Sequence, residues 1–300
     1  MAAVLRILFV LALAACSGMA RADMIVLVSD DKGAVAAATR ALQSVYSGGR
    51  IEMHNLNGSR GAENRIIQAI KDSPVNQVVA VGLLAAQVAR QRLDGKQVVF
   101  CQVLNFEEFD LVAPWIKGVS GIPSLTRQFA AWKMLDPNLR KVGLVTGKFA
   151  RYMVLDAELA AKAVGVEIEH VEVSSDRAVL PALQELRERR IQGLWLAPDS
   201  SILSQRTIFD VMAFSVRHQL QVMAFSPALL KEGALLSATA DTREVAMAAL
   251  ERLRKANPGA VLAGDPLTPL GNARITVSAA AAARFGLAVS AKLKEQADVE

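Results

Sequence analysis

Residues 77–103 read QVVAVGLLAAQVARQRLDGKQVVFCQV and contain a complete strand–helix–strand unit. Gln77 to Gly82 is an apolar run that ends in glycine, a helical pattern follows through Arg92, and Gln97 to Val103 is a second apolar run. Short, uninterrupted apolar runs are typical of parallel strands that are buried on both faces, and the helix between them provides the crossover. The unit therefore predicts a parallel sheet covered by helices.

The same alternation extends in both directions from this unit. Met24 to Ser29 and Arg50 to Leu56 are predicted strands, each followed by a helix. After a helix at 124–135 the pattern restarts, with further strands predicted at 141–147, 166–173, 193–197 and 221–225. This near-duplication predicts an α/β fold of two Rossmann-like lobes with parallel sheets, joined by a hinge that the chain crosses several times.

The boundaries of the two lobes follow from the restart of the pattern. We expect lobe 1 to span 23–118 plus about 237–268, and lobe 2 to span 119–236 plus about 269–300. The stretch Ile116 to Pro123 is rich in glycine and proline and is interpreted as the hinge.

The N-terminus, Met1 to Ala22, is predicted to be a signal peptide, because its apolar run, Ile7 to Ala15, is too short to span a bilayer. Two processing sites compete. Cleavage after Ala22 would release a soluble protein, whereas the sequence before Cys16 resembles a bacterial lipobox and makes Cys16 a lipidation candidate. Either site predicts a protein of the periplasm or cell envelope, attached to a membrane only through a lipid if at all.

Charge and cysteine content narrow the function further. Removal of the signal peptide lowers the formal net charge from +5 to +3, because it contains Arg6 and Arg21 and no acidic residue. So mild a charge, with no clustered basic and aromatic residues, does not predict binding to nucleic acid. Cys101 lies in an apolar strand and is predicted to be a small core residue.

No enzyme motif appears. The first strand lacks a dinucleotide fingerprint, 143–147 lacks the spacing of a phosphate-binding loop, and Ser59 lacks the flanking glycines of a nucleophile elbow. His54, His170 and His218 are scattered without metal-ligand spacing, and the pairs Asp30-Asp31 and Glu107-Glu108 are interpreted as solubilising. We therefore predict that the protein is not an enzyme and has no metal or cofactor.

Several strand-and-turn segments resemble the substrate-binding proteins of ABC transporters with the class I periplasmic-binding-protein fold, in the short family that includes binders of aromatic amino acids. The segments are Val78 to Gly82, Gln97 to Phe100, Gly118 to Gly121, Gly193 to Asp199, and Ala224 to Ser226 with Lys231 to Ala234. The resemblance covers about Met24 to Leu287. It implies three crossings between the lobes, a ligand held between them, and delivery to a membrane permease. The chain differs from the family at Leu83, at 103–106 and at 29–33, so the resemblance does not name the ligand.

Ligands of open parallel sheets bind beyond the carboxyl ends of the strands. This rule selects the predicted ligand-binding residues: Ser29, Asp30, Leu83 and Asn105 in lobe 1, and Thr146, Asp199 and Ser226 in lobe 2. Asp199 has two interpretations, one as the partner of a ligand ammonium and the other as the cap of the helix that follows.

Three functional hypotheses remain from the sequence. The first is a solute-binding component of an ABC-type uptake system. The second is an envelope module that signals to a membrane partner. The third is a structural envelope protein whose cleft is filled by its own side chains, with Leu83, Leu104 and Phe106 as the candidates.

Overall fold

The computed structural model of the chain describes residues 22–59, 61, 63–256 and 261–300. The predicted signal peptide and the lipidation candidate Cys16 lie outside the described residues, except that the backbone of Ala22 begins the first strand.

Lobe 1 contains a parallel sheet that, within the described residues, has six strands in the order β2–β1–β3–β4–β5–β11. The strands are β1 (Ala22–Val28), β2 (Arg50–Asn55), β3 (Gln77–Val81), β4 (Gln97–Cys101), β5 (Ile116–Val119) and β11 (Leu267–Thr268). The helices on its two faces are α1 (Gly33–Val45), α2 (Glu63–Asp72), α3 (Leu83–Arg92) and α8 (Thr242–Arg254).

Lobe 2 contains a second sheet whose described strands have the order β7–β6–β8–β9–β10–β12–β13. The strands are β6 (Lys141–Thr146), β7 (Glu167–Glu172), β8 (Gly193–Leu196), β9 (Gln221–Ala224), β10 (Leu236–Thr239), β12 (Arg274–Val277) and β13 (Ala297–Val299). The helices are α4 (Leu125–Leu135), α5 (Arg151–Lys162), α6 (Val179–Glu188), α7 (Gln205–Arg217), α9 (Ala279–Arg284) and α10 (Ala291–Lys294). Only β12 runs antiparallel to its neighbour β10 among the described pairs. The first five strands of each lobe are arranged in the same order, which confirms the predicted α/β fold of two similar lobes.

The cores of both lobes explain why these segments form strands. Met24 to Val28 is buried between β2 and β3 in the first sheet, with helices on both faces. The edge strands β2 and β7 are instead partly exposed along their length, and β7 carries Glu167, Glu169 and Glu172. Charges on an edge strand discourage the edge from pairing with another chain. Cys101 is completely buried, as predicted for a core residue.

Three segments connect the lobes in the described part of the chain, namely 120–124, 240–241 and 269–273. The first and third run side by side, since the Ser120 N–H donates to the Thr268 carbonyl at 2.9 Å and the Ser124 N–H to the Asn272 carbonyl at 2.9 Å. They form a connection held by backbone hydrogen bonds.

Two details differ from the sequence-based boundaries. The predicted hinge began at Ile116, but Ile116–Val119 is strand β5. Gly118 permits close packing of this strand, because a Cβ at that position would lie 2.3 Å from the Phe100 ring. Leu236–Thr239 belongs to the sheet of lobe 2, and the chain therefore returns to lobe 1 after Thr239 and not at 237.

Candidate functional site

Two of the predicted ligand-binding residues meet across the lobes. Asn105 follows β4 in lobe 1, and Asp199 follows β8 in lobe 2. The Asn105 side-chain amide donates a hydrogen bond to the Asp199 carboxylate, with 2.9 Å between Nδ2 and Oδ1. The carboxyl ends of the two sheets thus face each other, as expected for parallel sheets that share a cleft.

The Asp199 carboxylate is buried, with 1% of the residue exposed. Besides Asn105 it accepts hydrogen bonds from the Gly147 N–H at 2.7 Å, the Ser201 N–H at 3.0 Å and the Ser201 hydroxyl at 2.6 Å. Three of these donors bond to Oδ1, and the Gly147 N–H alone bonds to Oδ2. Asp199 does not cap the helix that follows it. The cap of α7 is Ser204, whose side chain accepts the hydrogen bond at the start of that helix. Oδ2 could accept a second hydrogen bond, but a ligand ammonium would reach it only after the buried carboxylate became accessible.

The other predicted residues of lobe 1 serve its own structure. The Ser29 hydroxyl is buried and accepts a hydrogen bond from the Ala85 N–H at 2.9 Å, in the first turn of α3. Asp30 accepts from the Lys32 N–H at 2.9 Å within its loop. Leu83 begins α3 and packs against the lobe 1 core.

The other two predicted residues of lobe 2, Thr146 and Ser226, have different surroundings. Thr146 is almost fully buried, and its hydroxyl lies 2.9 Å from Nε2 of His170 on the neighbouring strand. Burial lowers the pKa of the His170 imidazole, which favours its neutral form. Ser226 precedes the short 3-10 helix Pro227–Leu230, and its side chain makes no capping hydrogen bond there. Asn105 and Asp199 are therefore the predicted residues that the structure brings together.

The loop that follows β4, residues 103–107, contacts lobe 2, and we call it the bridging loop. In addition to the Asn105 bond, the Phe106 ring meets the Tyr152 ring edge to face, with 5.7 Å between centroids. The Glu107 carboxylate accepts a hydrogen bond from the Tyr152 N–H at 3.2 Å, in the first turn of α5. Tyr152 also packs against the lobe 1 core. The interpretation of Glu107 as a solubilising charge is wrong, because its carboxylate satisfies an N–H of a helix in the other lobe.

A cavity of about 320 Å³ lies beside the bridging loop, and we call it the hinge cavity. Its walls come from both lobes and from two of the connecting segments. They are the bridging loop, residues 120–126, one face of α5 with the preceding Phe149 and Ala150, and Leu267, Pro269 and Leu270. The volume falls within the range of small-molecule sites. Most of the wall is apolar, with Phe106, Phe149 and Leu159 among its large side chains.

Two carboxylates, those of Glu107 and Asp156, line this cavity, and no Lys, Arg or His does so among the described residues. Burial raises the pKa of Asp156, and the nearby charge of Asp265 raises it further. The pKa of the Tyr152 hydroxyl is also raised, first by burial and then by Asp156 and Asp265. This end of the cavity is therefore an environment that disfavours additional negative charge.

The strand-end rule missed the residues on α5. Tyr152, Asp156 and Ala160 are spaced four residues apart and share one helical face, which lines the hinge cavity. A signal was present in the sequence, since a polar Tyr and Asp interrupt an otherwise apolar Ala-rich helix face. What the sequence did not supply was the position of that face beside the connecting segments.

No protein-family model and no curated protein matches the sequence. In the described residues no helix has both the length and the apolar character needed to cross a membrane, and no three side chains of His, Cys, Asp or Glu are grouped as a metal ion would require.

The fold is similar to those of several solved structures. An ABC domain from Streptococcus pneumonia, solved in complex with L-Trp, is 17% identical, with a TM-score of 0.60 over 92% of this chain and 100% of the other. A ligand-free, open substrate-binding protein with adhesive properties from Clostridium difficile is 13% identical, with a TM-score of 0.65 over 92% of this chain and 98% of the other. The transcription regulator CcpA of Lactococcus lactis is 13% identical, with a TM-score of 0.50 over 85% and 97% of the two chains. At these identities the likeness concerns the fold, and the chain has the class I periplasmic-binding-protein fold, which both substrate-binding proteins and transcription regulators share.

Proposed function

We propose that the protein is an exported solute-binding protein that captures a small organic molecule between its lobes for an ABC-type uptake system. The observation that carries this proposal is the hinge cavity, whose walls come from both lobes and from the segments that connect them. A ligand in such a position contacts both lobes at once, so its binding would favour one relative arrangement of the lobes over others. The predicted signal peptide supports export.

The cavity wall favours binding without chemical change. Among the described wall residues, the Ser120 hydroxyl donates to the Ile122 carbonyl at 3.1 Å and the Ser124 hydroxyl accepts from the Arg127 N–H. Neither hydroxyl is hydrogen-bonded to a histidine or carboxylate that would activate it as a nucleophile. We therefore infer that the protein is not an enzyme.

A second function is favoured by one observation. The Asn105–Asp199 hydrogen bond joins the lobes directly, side chain to side chain. A protein that signals to a membrane partner through its lobe arrangement could use this contact directly, with no solute. Under this alternative the hinge cavity would not be a binding site.

A ligand screen on a cavity-narrowing variant separates the two functions. We would compare wild-type protein from Asp23 onward with Ala163→Trp, using thermal shifts against a broad library of amino acids, amines and organic acids. Ala163 is exposed at the rim of the cavity, so the larger side chain should be tolerated. The control is Lys162→Trp, on the adjacent exposed position that is not part of the wall.

A ligand at 100 times its dissociation constant should stabilise the wild type by about 2.7 kcal/mol. We expect the shift to persist in Lys162→Trp and to be lost in Ala163→Trp. A flat screen would reject solute binding and support the signalling alternative, and equal shifts in both variants would place the ligand outside the hinge cavity.

A further inference from the structure

The walls of the hinge cavity set the shape of what it can hold. Phe106, Phe149, Tyr152 and Leu159 line the cavity, and the Phe106 and Tyr152 rings are in contact. Leu159 is 69% exposed, whereas Met153 and Ala160, which also line the cavity from α5, are buried. Large exposed apolar side chains at the mouth of a cavity are typical of a site for a ligand with an apolar body.

Of the two carboxylates in the described cavity wall, that of Asp156 has no hydrogen-bond partner. Asn105 and Glu107 are hydrogen-bonded across the lobes, and Ser120 and Ser124 bond to backbone groups nearby. Asp156 has no hydrogen bond or ion pair with any described residue. Partial burial removes hydration from this carboxylate without giving it a hydrogen-bond donor, which costs free energy. A cationic ligand would offset that cost.

The charged neighbours of Asp156 do not neutralise it. Asp265 adds a second negative charge close enough to raise the Asp156 pKa. The Arg252 guanidinium lies near Asp265 and Tyr152, and it donates to the carbonyl oxygens of Gly118, Ala263 and Asp265 and to the Thr268 hydroxyl. The charged neighbour of Asp156 is thus another carboxylate, and Glu107 adds a further carboxylate to the cavity wall.

The basic side chain of Lys148 contacts a wall residue, Phe149, but does not itself line the cavity. Its ammonium is 4.7 Å from the centre of the Phe149 ring, the residue is exposed, and it is not part of the cavity wall. The interior of the hinge cavity is accordingly negative, and an anionic ligand would be repelled by Asp156 and Glu107 with no cation in the wall to pair with.

We propose that the hinge cavity binds a small organic cation with an apolar body, whose amine pairs with Asp156 while its apolar part fills the space between Phe106, Phe149 and Leu159. This ligand class rests on the proposed solute-binding function and makes it more specific. The Asp156 carboxylate is then the specificity-determining residue, since it distinguishes an amine from an alcohol or an acid on the same carbon body.

Three compounds with one body test this assignment directly. 4-Phenylbutylamine, 4-phenylbutanol and 4-phenylbutyrate carry positive, neutral and negative groups on the same phenylbutyl chain. Their dissociation constants would be measured by calorimetry at pH 7 for wild-type protein, for Asp156→Asn and for Glu158→Gln. Glu158 lies on the same helix, is exposed and is outside the cavity wall, so Glu158→Gln controls for the loss of one negative charge.

We expect the wild type to bind the amine most tightly, and Asp156→Asn to weaken amine binding by about tenfold or more, the effect of losing one charge-assisted hydrogen bond. Glu158→Gln should leave it nearly unchanged. Binding of the alcohol or the acid as tightly as the amine, or equal amine binding by wild type and Asp156→Asn, would overturn the ligand class.

The failure of the ligand class can be told apart from the failure of the function. If none of the three compounds binds but a library compound binds in a manner lost in Ala163→Trp, the cavity is a solute site and the cationic class is wrong. If neither the series nor the library binds, solute binding itself is wrong.

Discussion

At the scale of single residues, polar groups at the strand ends have structural partners that determine their roles. Asp199 illustrates this, because its four donors come from its own turn, from the loop after β6 and from the other lobe. Gly147, which supplies one of these N–H groups, has no room for a side chain, since a Cβ there would lie 2.3 Å from the Ser201 hydroxyl. The buried carboxylate thus organises two loops of lobe 2.

Substitution of Asp199 by alanine is predicted to lower stability. The change leaves the buried Gly147 N–H and the Ser201 N–H without their acceptor, and an unsatisfied buried donor costs about 1–3 kcal/mol. We expect the free energy of unfolding, measured by urea denaturation, to fall by about 2 kcal/mol or more.

The control for this prediction is Asp210→Ala. Asp210 is a partly exposed residue of α7 whose contact with Arg206 is 3.9 Å long, so its loss should change stability by less than about 0.5 kcal/mol. If the two variants lost equal stability, the hydrogen bonds around Asp199 would not contribute the predicted free energy of unfolding.

At the scale of elements, a buried polar network attaches helix α4 to the sheet of lobe 2. The Trp132 indole N–H donates to the Gln221 side-chain oxygen at 2.7 Å, and the Gln221 amide donates to the Asp136 carboxylate at 2.6 Å. All three residues are buried. Gly193 lets the indole approach the sheet, because a Cβ at that position would lie 2.3 Å from the Trp132 ring. The helix is therefore held by hydrogen bonds as well as by apolar packing.

Substitution of Gln221 by methionine is predicted to weaken this attachment. Methionine keeps much of the side-chain volume but leaves the Trp132 N–H without an acceptor and removes the amide that bonds to Asp136, each at a cost of about 1–3 kcal/mol. Urea denaturation should show a loss of about 2 kcal/mol or more. The matched change Gln43→Met, on an exposed position of α1, should be nearly neutral. A neutral effect of Gln221→Met would contradict the structural importance of the network.

At the scale of the whole molecule, the bridging loop adds contacts between the lobes beyond the three connecting segments. It joins lobe 1 to lobe 2 through the Asn105–Asp199 bond, the Phe106–Tyr152 ring contact and the Glu107 bond to α5. These contacts involve few residues, whereas each lobe has its own extensive core on both faces of its sheet. Such an arrangement is suited to motion about the connecting segments.

The double substitution Asn105→Ala with Phe106→Ala is predicted to open the lobes. It removes the hydrogen bond to Asp199 and the ring contact with Tyr152 while leaving the Glu107 bond in place. We expect a larger radius of gyration by small-angle X-ray scattering without ligand, because the closed arrangement loses contacts that stabilise it and the open arrangement becomes more populated. Gln91→Ala, an exposed change on α3, is the control. An unchanged radius of gyration would show that the bridging loop does not hold the lobes together.

The sequence by itself determined the α/β class, the two similar lobes and the crossings between them, and it identified core residues such as Cys101. These features depend on local patterns, because an apolar run or a helical period acts within a few residues of the chain. It missed β5, since Lys117 and Gly118 resemble a hinge until the packing of Gly118 against Phe100 is known.

Only the tertiary structure decided what the polar residues do. Asn105 and Asp199 are far apart in the sequence yet bond to each other, and Glu107 satisfies a helix of the other lobe. The same is true of the α5 face with Asp156, which lines the hinge cavity because the connecting segments pass beside it. Hydrogen bonds and charge pairing depend on distances of a few ångströms between groups that the fold brings together, and local sequence patterns carry no information about those distances.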